Sequence, residues 1–260
     1  MYSSATYGMV SRFFNLNMLA TTTAATVDCG KVTAQRYLQS VNIFGGTTAS
    51  PSLGTGVTQG YVTECAMLQE DTASCLCGIE YNFGSISGAT DTYTDSGVSM
   101  PTKTIRIEGA DSSIQTAALN AFAVVSTTFA GAGTYTYAIT YVNQDGTGSR
   151  TATLIIPTTA LINSAFDIIP HLQAGDTGIQ NITNVALTAG NPSAGVLSFR
   201  GLLPINFSRT ATAGVVVCSD PLTSTLPMFP IANSDVLAFY RLGASSTNCL
   251  FIHLAIVADY

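Results

Sequence analysis

TYTYAITYVNQDGTGSRTATLIIP, residues 134 to 157, decides the fold. Tyr135, Tyr137, Ile139 and Tyr141 fall on one side of an extended chain, with Thr136, Ala138 and Thr140 on the other. Successive side chains of a strand point to opposite faces, so this period of two predicts a half-covered β-strand. Asn143 to Gly148 then supplies turn residues, including an Asp-Gly pair suited to positive φ. Beyond it Thr151 and Thr153 alternate with Ala152, Leu154 and Ile156 as far as Pro157. Two period-two arms around a short turn are a β-hairpin.

Downstream, GDTGIQNITNVALTAGNPSAGVLSFRG, residues 175 to 201, extends the pattern. Asp176–Gly178 reads as a turn. Ile182, Val185 and Leu187 read as a strand whose phase shifts once, as at a bulge. The Gly/Asn/Pro connection then leads to a return strand, with Leu197 and Phe199 on one face and Arg200 on the other, so the segment is expected to link neighbouring strands. CLCGIEYNF, KTIRIEG, GVVVC, DVLAFYRL and NCLFIHLAIVAD are further strand candidates. In the last, Leu250, Ile252, Leu254 and Ile256 alternate with Phe251, His253, Ala255 and Val257. Both faces are apolar, which predicts a strand central to a sandwich or covered by another subunit. Residues 112–129 are undecided: Ile114, Ala118, Phe122, Val125 and Phe129 approximate a helical face, while Val124-Val125 and the Thr pair favour a strand. A helix is expected there. Residues 5–20 have apolar spacing that predicts a short helix or an arm packed on a neighbour, and 84–101 reads as a long loop or boundary.

Short strands spaced by turns predict an all-β or mainly β protein with a β-sandwich or jelly-roll-like body and one short helix at most. The division expected is an N-terminal arm or attachment region over 1–100 and a sandwich body over 101–260.

Composition narrows the function. Only 9% of the 260 residues are charged, against roughly 25% in ordinary soluble domains. Hydroxyls and amides must therefore carry solubility, and such a skin is desolvated at a subunit contact more cheaply than one of Lys and Glu. Assembly with copies of itself is the expected outcome, ahead of an extracellular domain with a neutral skin. The net charge is −6, and the lysines are Lys31 and Lys103 alone. No basic stripe exists to neutralise phosphates, so direct nucleic-acid binding is not expected. The N-terminus lacks the charged and apolar regions of a secretory signal. CLFIHLAIVA is half the length of a membrane helix, so no membrane partner is expected.

Six cysteines, at 29, 65, 75, 77, 218 and 249, fit no zinc spacing. Free or buried thiols are the leading reading, ahead of a disulfide or a metal. His171, with Asp167 and Asp176 nearby in sequence, makes a weak divalent-site candidate, outweighed by a plain loop. The carboxylates Asp91 and Asp95, and Glu70 and Asp71, serve glycoside chemistry only if the fold pairs them. The glycine-rich 45–56 lacks the Lys and strand–helix context of a phosphate loop. No catalytic residue, metal or cofactor is expected. Phe13, Phe14, Phe251 and His253 are candidate interface residues. Tyr135, Tyr137 and Tyr141 are candidate contacts for a glycan or a partner if exposed, against the plainer reading of packing within one sheet.

The Tyr/Thr strand, Asn143–Gly146, Gly175–Gly178 and the Val185-to-Phe199 pair together resemble virion structural proteins of tailed bacteriophages, over roughly residues 134–204. The resemblance implies a non-enzymatic β-structured protein built into the particle, located in the virion and made in the host cytoplasm, with other virion proteins as partners. A capsid shell or decoration role leads. A tail, baseplate or fibre-anchoring role suits the same composition, and a carbohydrate-binding adhesion module is the rival from another class.

Overall fold

A computed structural model of the chain describes residues 9–16, 36–41, 59–69, 74–107, 110–131, 133–158, 160, 164–209, 216–219, 229–232, 235–242 and 250–259. Its strands run β1 (Met9–Leu16), β2 (Arg36–Val41), β3 (Gln59–Gln69), β4 (Ser74–Ser87), β5 (Thr92–Asp95) and β6 (Thr102–Ile107). They continue with β7 (Ala110–Gln115), β8 (Asn120–Ala130), β9 (Thr134–Asn143), β10 (Arg150–Pro157) and β11 (Ser164–Asp167). A 3-10 turn, Ile169–His171, precedes β12 (Ile179–Ala189), β13 (Ala194–Arg209) and β14 (Val216–Ser219). β15 (Ile231–Ala232), β16 (Val236–Leu242) and β17 (Leu250–Asp259) complete the order. The protein is mainly β, built of several antiparallel sheets with little helix.

β9 and β10 form the hairpin the alternation predicts, with Tyr141 opposite Arg150 and Tyr135 opposite Ile156. Gly146 takes the turn's positive φ of 79°. Asn143 tightens the turn, its Oδ1 accepting the amides of Asp145 and Thr147 at 3.1 and 2.8 Å. β12 pairs with the other side of β9 to give a three-stranded sheet ordered β10-β9-β12. Its register against β9 shifts three times, where the sequence suggested one bulge.

β13 is not the return partner of β12. It pairs with β8 and with β4 in a seven-stranded sheet, ordered β13-β8-β11-β2-β16-β4-β5 with the further pairing β13–β4. The connection after β12 thus carries the chain from one sheet to another, a transfer that local sequence does not distinguish from a hairpin return. The expected loop over 84–101 is also partly strand: β4 extends through Ser87 and pairs with β5 after a tight turn.

Residues 112–129 form no helix. They lie in β7, a bridge and β8. Ala121 to Val125 are all buried because β8 is covered on both sides. Ala121, Ala123 and Val125 join the large core, and Phe122 and Val124 join a smaller cluster with Leu76, Ala165 and Leu202. Five covered positions in a row erase the period of two, which is why the Ala-rich composition pointed to helix.

The large core holds residues from both sheets: Tyr137, Ile139, Leu154, Ile156 and Val185 from the three-stranded sheet, and Ile79, Phe83, Val125, Leu197 and Phe199 from the seven-stranded one. Close approach shapes one spot. A Cβ on Gly201 would stand 2.7 Å from the Phe83 ring and 2.8 Å from Ala118 Cβ.

The N-terminal strand differs from the helix or neighbour-bound arm expected over 5–20. β1 pairs with β17 of its own chain, and β17 also pairs with β3, in a sheet ordered β1-β17-β3-β14 with β15 on β3. Strands from either side of residue 100 are thereby interleaved in both large sheets. β6 and β7 form a separate two-stranded sheet.

Candidate functional site

The densest polar constellation among the described residues lies at the turn end of the hairpin. Period-two alternation puts Tyr141 and Asn143 on the same face of β9, and the register sets Arg150 opposite Tyr141. The segment following the 3-10 turn then brings Asp176 onto all three. Arg150 donates to the carboxylate through both Nε (2.9 Å to Oδ2) and Nη2 (3.1 Å to Oδ1). Tyr141 Oη donates to Oδ2 at 2.6 Å, and Asn143 Nδ2 to Oδ1 at 2.9 Å. Tyr141 Oη in turn accepts the Gln173 amide at 2.9 Å. Gln144 Oε1 accepts the amides of Thr177 and Gly178, at 2.9 and 3.3 Å.

The Asp176 side chain is only 3% exposed. The Arg150 guanidinium, followed by Asn143 and Tyr141, holds its carboxyl well below the usual carboxylate range. Burial, reinforced by Asp176, pushes the Tyr141 hydroxyl up. Each carboxylate oxygen already receives two donors, so all four lone-pair positions are filled. Nothing remains to accept a substrate proton or bind a cation. What this arrangement does is fasten the 173–178 segment to the hairpin.

A second buried pair joins β4 to β13: Arg200 Nη1 donates to Glu80 Oε1 at 2.7 Å, with the Glu80 side chain 3% exposed. Lys103 Nζ donates to Asp235 at 3.0 Å and to the Pro230 carbonyl at 2.8 Å. These ion pairs tie segments far apart in sequence.

The three tyrosines of the hairpin are not exposed contacts. Tyr135, Tyr137 and Tyr141 point into the large core and are buried. Their period of two was legible; which face turned inward was not, since aromatic rings suit either a core or a binding surface. Tyr135 packs on Phe129 with ring centroids 5.1 Å apart and donates to the Ala130 carbonyl. The Tyr137 hydroxyl is pushed up to about 12 by burial, then by Asp91 and Tyr135.

Phe13 and His253, from opposite ends of the chain, are register partners in β1 and β17; Phe251 lies opposite Asn15, and Phe14 opposite Ile252. Their side chains lie outside the described residues. His171 is exposed in the 3-10 turn, while Asp176 is committed to Arg150. Among the described residues no group of three or more His, Cys, Asp or Glu could hold a metal ion. Asp91 Oδ1 accepts the Leu187 amide and Asp95 Oδ1 the Gly97 amide, so both serve the backbone. Glu70, Asp71 and the 45–56 loop lie outside the described residues, as do the side chains of the six cysteines.

Sequence reasoning missed the Asp176 network. Its signal was an arginine opening β10 directly across the turn from Tyr141 and Asn143, in strands with no other charge. Set beside known proteins, the chain matches no family model and no curated sequence.

Proposed function

We propose that the chain is a non-enzymatic structural component of a bacteriophage virion, assembling as repeated copies on the capsid surface. The observation that carries this reading is where charge is spent. In β9, β10 and β12 the only charged side chain is Arg150, and Asp176 neutralises it. The outward positions of that sheet are Thr136, Ala138, Thr140 and Val142 on β9, and Thr151, Thr153 and Ile155 on β10. Covering such a face with a neighbour desolvates hydroxyls and methyls rather than ammonium groups and carboxylates.

In this reading the body is a β-sandwich. Its layers are the three-stranded sheet and the β4–β13–β8 portion of the larger sheet, facing each other across the shared core. The buried tyrosine row takes away the feature that motivated a glycan-binding module. The virion reading is tested by immunogold electron microscopy of gradient-purified particles, with antibody raised against the recombinant chain. Label on heads is expected. Label confined to the tail or its tip moves the protein to the tail machinery, and no label on intact or disrupted particles overturns the virion reading.

A further inference from the structure

We infer that residues 88–100 are a strap that seals the outer edge of β12, latched by Asp91 and Tyr93, and that this strap opens as a unit while the sheets behind it stay packed. β12 ends the three-stranded sheet and, as a strand, pairs with β9 alone among the described residues. Bare backbone groups on such an edge invite another strand. Here residues 88–100 meet them instead. The Leu187 amide donates to Asp91 Oδ1 at 3.1 Å, and the Met100 amide donates to the Gln180 carbonyl at 2.8 Å. Between these, Tyr93 Oη shares its one proton between the Phe83 carbonyl of β4, at 2.8 Å, and the Ile182 carbonyl of β12, at 3.0 Å. As the strap rises from 91 to 100 its partners fall from 187 to 180, so it runs antiparallel to β12. Asp91 and Tyr93 reach β12 through side chains, which makes the strap a cover and not a fourth strand.

The strap is thinly held. From 89 to 99 every residue is exposed except Tyr93 and Val98, whereas Gly88 and Met100 at its ends are buried. Those ends are the fixed points, and Tyr93 is the one aromatic plug between them. Its ring meets Phe199 edge-on, with centroids 6.0 Å apart. Gly84 makes room for it: a Cβ there would stand 2.8 Å from the Tyr93 hydroxyl and 2.4 Å from the Thr94 carbonyl.

Closure also carries two costs. Asp91 sits at a φ of 47°, in the left-handed region that residues other than glycine mostly avoid. The Tyr137 hydroxyl, close enough to Asp91 to feel its charge, is buried without a hydrogen-bond partner. Opening relieves both, since it frees Asp91 to relax and lets water reach Tyr137. A segment with few buried apolar contacts and exposed hydrogen bonds opens before the core does. Closed, the strap denies β12 to an added strand; open, it leaves that edge bare.

The device is a property of the isolated chain and does not rest on the virion reading. Its test follows single amides by hydrogen exchange in NMR spectra of the purified full-length chain. Asp91→Ala removes the acceptor of the Leu187 amide, which is expected to exchange about tenfold faster or more. Asp91→Asn keeps an oxygen acceptor and a side chain that tolerates the left-handed region, so Leu187 should stay within about twofold of the parent. The deciding variant is Tyr93→Phe, which leaves the Asp91–Leu187 bond in place yet removes the latch. Leu187 should again exchange faster, by about fivefold or more. The amides of Ile139 and Val125, both fully buried in the packed sheets, should keep their parent rates in every variant. Leu187 unmoved by Tyr93→Phe overturns the inference, because Asp91 is then a local cap and the strap does not open as a unit. Acceleration at Ile139 and Val125 to match Leu187 overturns it too, since the core then opens with the strap. An Asp91→Asn rate equal to that of Asp91→Ala would remove Asp91 Oδ1 as a latch and sink the inference as well.

Discussion

Asp176 receives four hydrogen bonds, two of them from one guanidinium, and so acts as the knot between the hairpin turn and the segment that follows the 3-10 turn. Its carboxyl is held low in the folded chain, so the unfolded chain binds a proton first as the solution is acidified. The stabilisation is fully present above the ordinary carboxylate range, near about pH 4, and drains away as pH falls toward the lowered value. Asp176→Asn keeps the shape and loses the charge. Its urea midpoint at neutral pH should be lower than the parent's, and the gap should narrow as acid is added. Parallel acid curves would show that Asp176 does not carry this dependence. From sequence, Asp176 is legible as a turn residue and no more. Its partners lie 26 to 35 positions away, and only the folded register makes them neighbours.

The hairpin and β8 show what strands reveal of themselves. β9 and β10 have one face in the core and one toward solvent, so their alternation survives in the sequence and the fold is legible there. β8 lies between two clusters, and β13 runs buried from Gly201 through Ile205. Neither writes a simple period. In β13, Gly201 lies under the Phe83 ring with no room for a Cβ. Gly201→Ala should therefore destabilise the protein by about 1–3 kcal/mol through overpacking, read as a lower midpoint in chemical denaturation with an unchanged slope. An unchanged midpoint would mean that the ring shifts freely, and that the β4–β13 seam is looser than the burial of Phe83 indicates.

At the scale of the whole molecule, strand pairing joins distant parts of the chain: β4 to β13 and β16, β2 to β11 and β16, β1 and β3 to β17. None of this was written in local patterns, because pairing partners so far apart are chosen by the collapsed core rather than by a turn. β17 is the hinge of its sheet, with a partner on each side. Removing Leu250–Asp259 should leave the hairpin's amides protected while those of Met9–Leu16 exchange freely, as hydrogen exchange read by mass spectrometry would show. Equal protection of β1 in the shortened chain would mean that β1 is held by something other than β17. The orientation of this seam has a mechanical consequence. Met9 sits across from Val257 and Leu16 across from Leu250, so the outer ends of both strands leave at the same end of the ladder. Tension applied between those ends peels the seam open one bond after another. Force that slid β1 lengthwise along β17 would instead load those bonds together.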